Sequence, residues 1–157
     1  MRPGHVVAHL VLGYPFSKVQ FSWCNRSCAG RVFRKGPRDV EHCDDDLLEN
    51  VHNSIIVSYA GMPAERLFDP KARAFHGSAD AECVKKTCDE WNVSRRKREL
   101  CRQKAQELVD SNKMAIGHLA SKICERLEIV TDKLTISQKN ITAMLNGIPL
   151  HEIHLDY

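Results

Sequence analysis

The sequence predicts a mostly α-helical domain, of the α+β kind, with a small β-hairpin near its N-terminus. Two observations carry this. Apolar residues recur at helical spacing in long stretches, as in Leu47, Val51, Ile55 and Tyr59, and again in Ile116, Leu119, Ala120, Ile123 and Leu127. Strict alternation of apolar and polar residues is confined to Lys18 to Trp23. At 157 residues the chain is large enough for one hydrophobic core, and residues 1–157 are expected to form a single domain.

The first element is a helix over residues 4–12, apolar nearly all round and therefore expected to be buried. Gly13-Tyr14-Pro15 should end it. A chain that opens inside a buried helix is expected to have lost a segment upstream. In the next stretch Val19, Phe21 and Trp23 face one side and Lys18, Gln20 and Ser22 the other, the pattern of a half-buried strand. Residues 25–27 can turn, and Ala29 to Phe33 should return as a second strand. Residues 34–45 are charged, contain Gly36-Pro37 and read as a loop.

From Asp46 the period becomes helical. Asp44 to Asp46 suit a helix N-terminus, where the backbone dipole favours negative charge. Gly61 and Pro63 are expected to break this helix, with a further turn or two from Ala64 to Phe68. After a loop over residues 69–77, Ser78 can cap a helix to about Trp91 with Val84 and Cys88 inward. Ser94 can cap the next, on which Leu100, Ala105 and Leu108 are placed to pack. Lys113 to Leu127 reads as a strong amphipathic helix. A last short helix, Ser137 to Leu145, should be capped by Ser137 and stopped by Gly147 and Pro149.

Composition excludes several classes. A net charge of +3 is too small to argue for nucleic acid. Arg95-Arg96-Lys97-Arg98, followed by Glu99, reads as a solvated helix face. No apolar run approaches the roughly 18 residues of a membrane span, and the first residues do not form a secretion signal. The expected location is therefore the cytoplasm. The seven cysteines, an odd number, do not suggest a disulfide framework. Cys24 and Cys28 would need a second close pair to hold a structural zinc, and His42-Cys43 is a poor one. No GxxxxGK[ST] phosphate loop is present, so no ATP chemistry is expected of the chain alone.

The chemistry-bearing residues lie at the front. His5 and His9 are one helical turn apart, a spacing at which both can reach one Zn²⁺. A hydrolytic zinc helix places Glu directly after its first His, as the base for water; here that residue is Val6. His5-Val6-Val7-Ala8-His9 is the ligand frame without the base.

Taken together, Gly4-His5-Val6-Val7-Ala8 through Gly13-Tyr14-Pro15, Ser17-Lys18-Val19, Tyr59-Ala60-Gly61-Met62-Pro63-Ala64-Glu65-Arg66-Leu67 and His76-Gly77-Ser78-Ala79-Asp80 resemble the peptidase domain of the FtsH-type ATP-dependent zinc metalloproteases, including short stand-alone relatives without the ATPase. Residues 115–145 fit that family's closing helices. The resemblance implies a helical metallopeptidase domain, a zinc cofactor, a polypeptide substrate and, in principle, a separate ATPase partner. Its register makes His5 the second histidine of the family's His-Glu-x-Gly-His motif. Met1 then occupies the place of the first histidine and Arg2 that of the catalytic Glu. This register is preferred to the His5/His9 pairing. It implies Asp80 as a further metal ligand, makes His9 an ordinary helix residue, and leaves His9 or His76 to stand in for the missing ligand. Glu65, on another helix, is read as structural. The expectation is a truncated or inactive metallopeptidase-like domain, the alternative being a non-catalytic helical interaction module.

Overall fold

A computed structural model describes residues 3–24, 27–34, 44–72, 78–128 and 133–155; the side chains of residues 23–24, 27–29, 34, 44–47 and 78 are outside it. The elements in order are α1 (Pro3–Val11), β1 (Phe16–Cys24), β2 (Ser27–Arg34), α2 (Asp44–Arg66), α3 (Ser78–Glu90), α4 (Arg95–Ser111), α5 (Lys113–Leu127), β3 (Lys133–Ser137) and α6 (Gln138–Met144). Among the described residues the fold is thus mostly helical with one small antiparallel sheet, as the sequence predicts.

Helix α1 is central because its sequence gives it no polar face. Every residue from Pro3 to His9 is buried. It ends as the glycine dictates. Gly13 takes φ +62°, a conformation that costs a Cβ-free residue little. The Tyr14 N–H then donates to His9 O at 2.8 Å and the Gly13 N–H to Leu10 O at 3.3 Å, closing a Schellman cap. Gly4 lets α1 lie directly on α2. A Cβ there would sit 2.7 Å from the Ala60 carbonyl oxygen and closer still to Ala64 Cβ.

The expected break in α2 does not occur. The helix continues through Gly61 and Pro63 to Arg66. Proline removes one N–H, leaving the Tyr59 carbonyl without its i+4 donor, and this loss falls in the final turns, where the ladder is ending anyway. Packing outweighs the local propensity. Val51, Ile55, Ile56, Ala60 and Ala64 are all buried. Tyr59 is only half-buried, and its hydroxyl accepts a 2.9 Å hydrogen bond from Arg98 Nε on α4. The side chain of Leu47, and those of Asp44 to Asp46 proposed to favour the helix start, lie outside the described set.

The hairpin is present, with Val19 and Phe21 buried beneath it. It gains a third strand that the sequence analysis did not assign. β3 pairs antiparallel with β1, Val19 opposite Ile136 and Phe21 opposite Leu134, so the strand order is β2-β1-β3. Leu134 and Ile136 do alternate with polar neighbours, but over five residues that run directly into the cap of α6.

Both of the serine caps flanking described side chains form as expected. Ser94 accepts from Lys97 N, and Ser137 from Asn140 N. On α5, Ala115, Ile116, Leu119, Ala120, Ile123 and Leu127 are buried. Between α4 and α5, Asn112 is 1 % exposed. Its Nδ2 donates to Leu108 O and His151 O, and its Oδ1 accepts from His151 N at 2.8 Å, which ties the C-terminal segment to the helical core. No helix among the described residues is long and apolar enough to cross a membrane.

Candidate metal centre

Three elements bring the candidate residues together. Helix α1 carries His5, α2 passes beneath it at Gly61, and α3 presents Asp80 in its first turn. His5 is buried, at 7 % exposure, and its Nε2 lies 3.6 Å from Asp80 Oδ2. These two residues are 75 positions apart by their numbers, and the fold places their polar atoms face to face. Two donors each about 2.0–2.2 Å from a tetrahedral zinc are separated by about 3.3–3.6 Å. The spacing of this pair therefore suits two donors on one ion as well as a histidine–carboxylate contact.

Gly61 makes the approach possible. A Cβ on it would come within 2.5 Å of His5 Nε2 and 3.4 Å of Asp80 Oδ2. The glycine that reads locally as a helix breaker is thus a floor under both side chains. Gly61→Ala is expected to push the His5 ring out of place and separate it from Asp80. Overpacking of this kind costs about 1–3 kcal/mol. Loss of any His5- and Asp80-dependent metal binding, alongside a modest fall in melting temperature, would be measured by calorimetric zinc titration and thermal unfolding. Unchanged binding with unchanged stability would show that the ring does not depend on this floor.

His9 has a different occupation. Its Nδ1 is 2.9 Å from the Tyr14 carbonyl oxygen, and because a carbonyl only accepts, Nδ1 carries the proton in that contact. The ring stacks on Tyr14 at 5.4 Å between centroids and tilts against Phe16 at 5.5 Å. It secures the turn that leaves α1. His9 lines the same cleft as His5 and Asp80, but among the described residues no three His, Cys, Asp or Glu side chains are gathered around one point. The structure therefore brings together His5 and Asp80 and does not add His9 to them as a third ligand. His76, Met1 and Arg2 lie outside the described residues, as do the side chains of Cys24 and Cys28 and the whole of His42-Cys43.

The cleft has a volume of about 370 Å³ and is open to solvent. Gly30, Arg31 and Val32 of the edge strand β2 form one wall, Val57 and Ser58 of α2 another, and Ala79, Asp80 and Cys83 of α3 a third. Glu65, a residue of α2, is not among its lining. Cys83, exposed and three positions beyond Asp80 on the same helix, lines it too.

No family model matches the chain, and no curated protein matches it.

As a zinc site, the described donor set is half complete. His5 supplies a ring nitrogen and Asp80 a carboxylate oxygen, both typical zinc donors, where a catalytic site uses three protein ligands and an open position. These two residues would hold the ion.

Proposed function

We propose that this chain is a metallopeptidase-like domain of the FtsH type that keeps two ligands of the zinc site and lacks its general base. The observation that supports this reading is the His5–Asp80 approach at 3.6 Å over Gly61. It joins the two stretches whose resemblance to the family implied a shared metal. The reaction class is peptide-bond hydrolysis. A bound zinc would contribute Lewis acidity, polarising a carbonyl and lowering the pKa of water.

The chain's own residues have narrower tasks. His5 and Asp80 are the residues that would hold the ion, one from α1 and one from α3. Among the described residues β2 is an edge strand, and its Gly30, Arg31 and Val32 line the cleft. An extended polypeptide can pair with such an edge through backbone hydrogen bonds, which would lay a peptide bond beside His5 and Asp80. That arrangement favours a polypeptide substrate over a compact small molecule. A separate ATPase partner is an implication of the resemblance alone.

Met1 and Arg2 occupy the positions that the resemblance gives to a ligand and a base. On this register residues 1–157 supply neither that ligand nor that base, so we expect no peptide hydrolysis from them. The deciding experiment compares unfolded casein cleavage, with and without chelator, by this chain and by a chain carrying Met1→His and Arg2→Glu with a few helix-forming residues added upstream. The original should cleave no faster than a zinc-free control. The repaired chain should cleave in a chelator-sensitive way.

A further inference from the structure

We propose that the outer face of the sheet selects acidic side chains on an extended polypeptide laid along β2, with Arg31 and Lys18 as the cations that meet them. This rests on the reading of β2 as the strand along which a polypeptide pairs, and it adds the chemistry of the segment that fits there. Cross-strand register defines the face. Val19, Phe21 and Ile136 are buried on the inner side, so their neighbours in the alternation point outward. Lys18 stands opposite Phe33 and Ser137, Gln20 opposite Arg31 and Thr135, and Ser22 opposite Lys133. Gln20 Nε2 donates to Thr135 Oγ1 at 3.3 Å across this face. Lys18, Arg31 and Lys133 are all exposed.

The charge of the face has one sign. None of the three strands contains Asp or Glu, and their charged residues are Lys18, Arg31, Arg34 and Lys133. Among the described residues no ion pair engages Lys18, Arg31 or Lys133. Phe33 gathers two of the cations. Lys18 Nζ lies 5.0 Å and Arg31 Cζ 5.4 Å from the centre of its ring. Two like charges are thereby held within about one Debye length of each other, about 10 Å at 0.1 M salt. The ring's attraction for cations offsets part of their repulsion, and a carboxylate beside them would relieve it further. A strand added beside β2 would place every second side chain on the outer face, next to Arg31 and Phe33, and the others on the inner side, next to Gly30 and Val32. Asp80 lines the cleft that Gly30 and Val32 also line, so acidic residues are favoured outward and small or apolar ones inward. The segment that fits best therefore alternates Glu or Asp with apolar residues. The phosphates of a single-stranded nucleic acid would meet the same cations. The Phe33 ring, however, is already faced by Lys18 and Arg31 rather than left for a base to stack on, and an edge strand offers the backbone pairing that a polypeptide uses.

The test is fluorescence anisotropy with a labelled synthetic peptide of alternating Glu and Val, on the full chain and with chelator present, so that binding is read apart from any metal. The peptide should bind more tightly than the same sequence with Lys in place of Glu, and more tightly than a peptide of equal composition with Glu and Val in separate blocks. Added salt should weaken it, because the cations are exposed. Arg31→Gln should weaken binding by up to about fivefold, the range of an exposed charge pair. The double change Lys18→Glu/Arg31→Glu should turn the preference toward the Lys peptide, an outcome that an unfolded chain would not give. Lys113→Glu, at an exposed position on α5, should leave binding unchanged. The absence of a preference for the Glu peptide, or a preference that survives the double charge reversal, overturns the proposal. So does tighter binding of a short oligothymidylate than of the acidic peptide. Selective acidic binding beside a repaired chain that never cleaves would keep this surface and discard the peptidase reading; casein cleavage by the repaired chain without any acidic preference would do the reverse.

Discussion

Restoring Met1→His and Arg2→Glu, with the helix extended upstream, should raise chelator-sensitive casein cleavage by at least about 10²-fold over the original chain. A positioned general base alone is typically worth 10²–10⁴-fold. The added histidine contributes through the metal rather than through the proton, since a third ligand fixes the ion whose charge lowers the pKa of water toward about 7. Base and ligand act on one unit, so their separate losses need not multiply. Each single repair should therefore recover little. Elemental analysis should show the repaired chain holding zinc with His5 and Asp80 as necessary partners. Equal cleavage by the original and repaired chains would discard the register and turn attention to His9. A folded, repaired chain that neither binds zinc nor cleaves would leave a helical interaction module as the better description.

Leu119→Ala should destabilise the fold by about 2–5 kcal/mol. Leu119 is fully buried on α5, between turns that also bury Ile116 and Ile123. Truncation removes three side-chain carbons from this packed face. The surrounding helices are held by α1, which has no polar side along which to relax. For a chain of this size each kcal/mol corresponds to about 2–4 °C in melting temperature, so a fall of roughly 4–20 °C is expected in thermal unfolding. A fall below about one degree would mean that the face of α5 carries no core.

The helical framework was legible in the sequence because its signals were redundant. Period agreed with a serine cap for α4 and α6 and with a terminating glycine for α1 and α6, and the apolar period alone was strong enough for α5. Gly61 and Pro63 misled for a physical reason. Their local cost is small beside the apolar surface that α2 buries on either side, and a close contact with His5 makes the glycine useful where it stands. β3 was hidden because five residues of alternation carry little information next to a strong helix cap. The candidate centre was half legible. A histidine on an apolar helix and an aspartate at a helix start each have ordinary explanations, and only tertiary folding makes them neighbours. The resemblance pointed to both residues, but spacing in the chain could not.

The strand order β2-β1-β3 also sets a timetable. β1 meets β2 across the shortest of connections, whereas its contact with β3 joins residues as far apart as Gln20 and Thr135. Closing the longer span must wait for the intervening helices to draw its ends together, since distant pairings are entropically late. We expect the sheet to assemble one edge at a time, with β1 amides facing β2 protected from hydrogen exchange before those facing β3. Pulse-labelled refolding would register both edges; simultaneous protection would mean that the helices and the whole sheet condense in a single step. During the interval, one flank of β1 would stand open to solvent, and the Gln20–Thr135 contact would be the last stitch rather than the first.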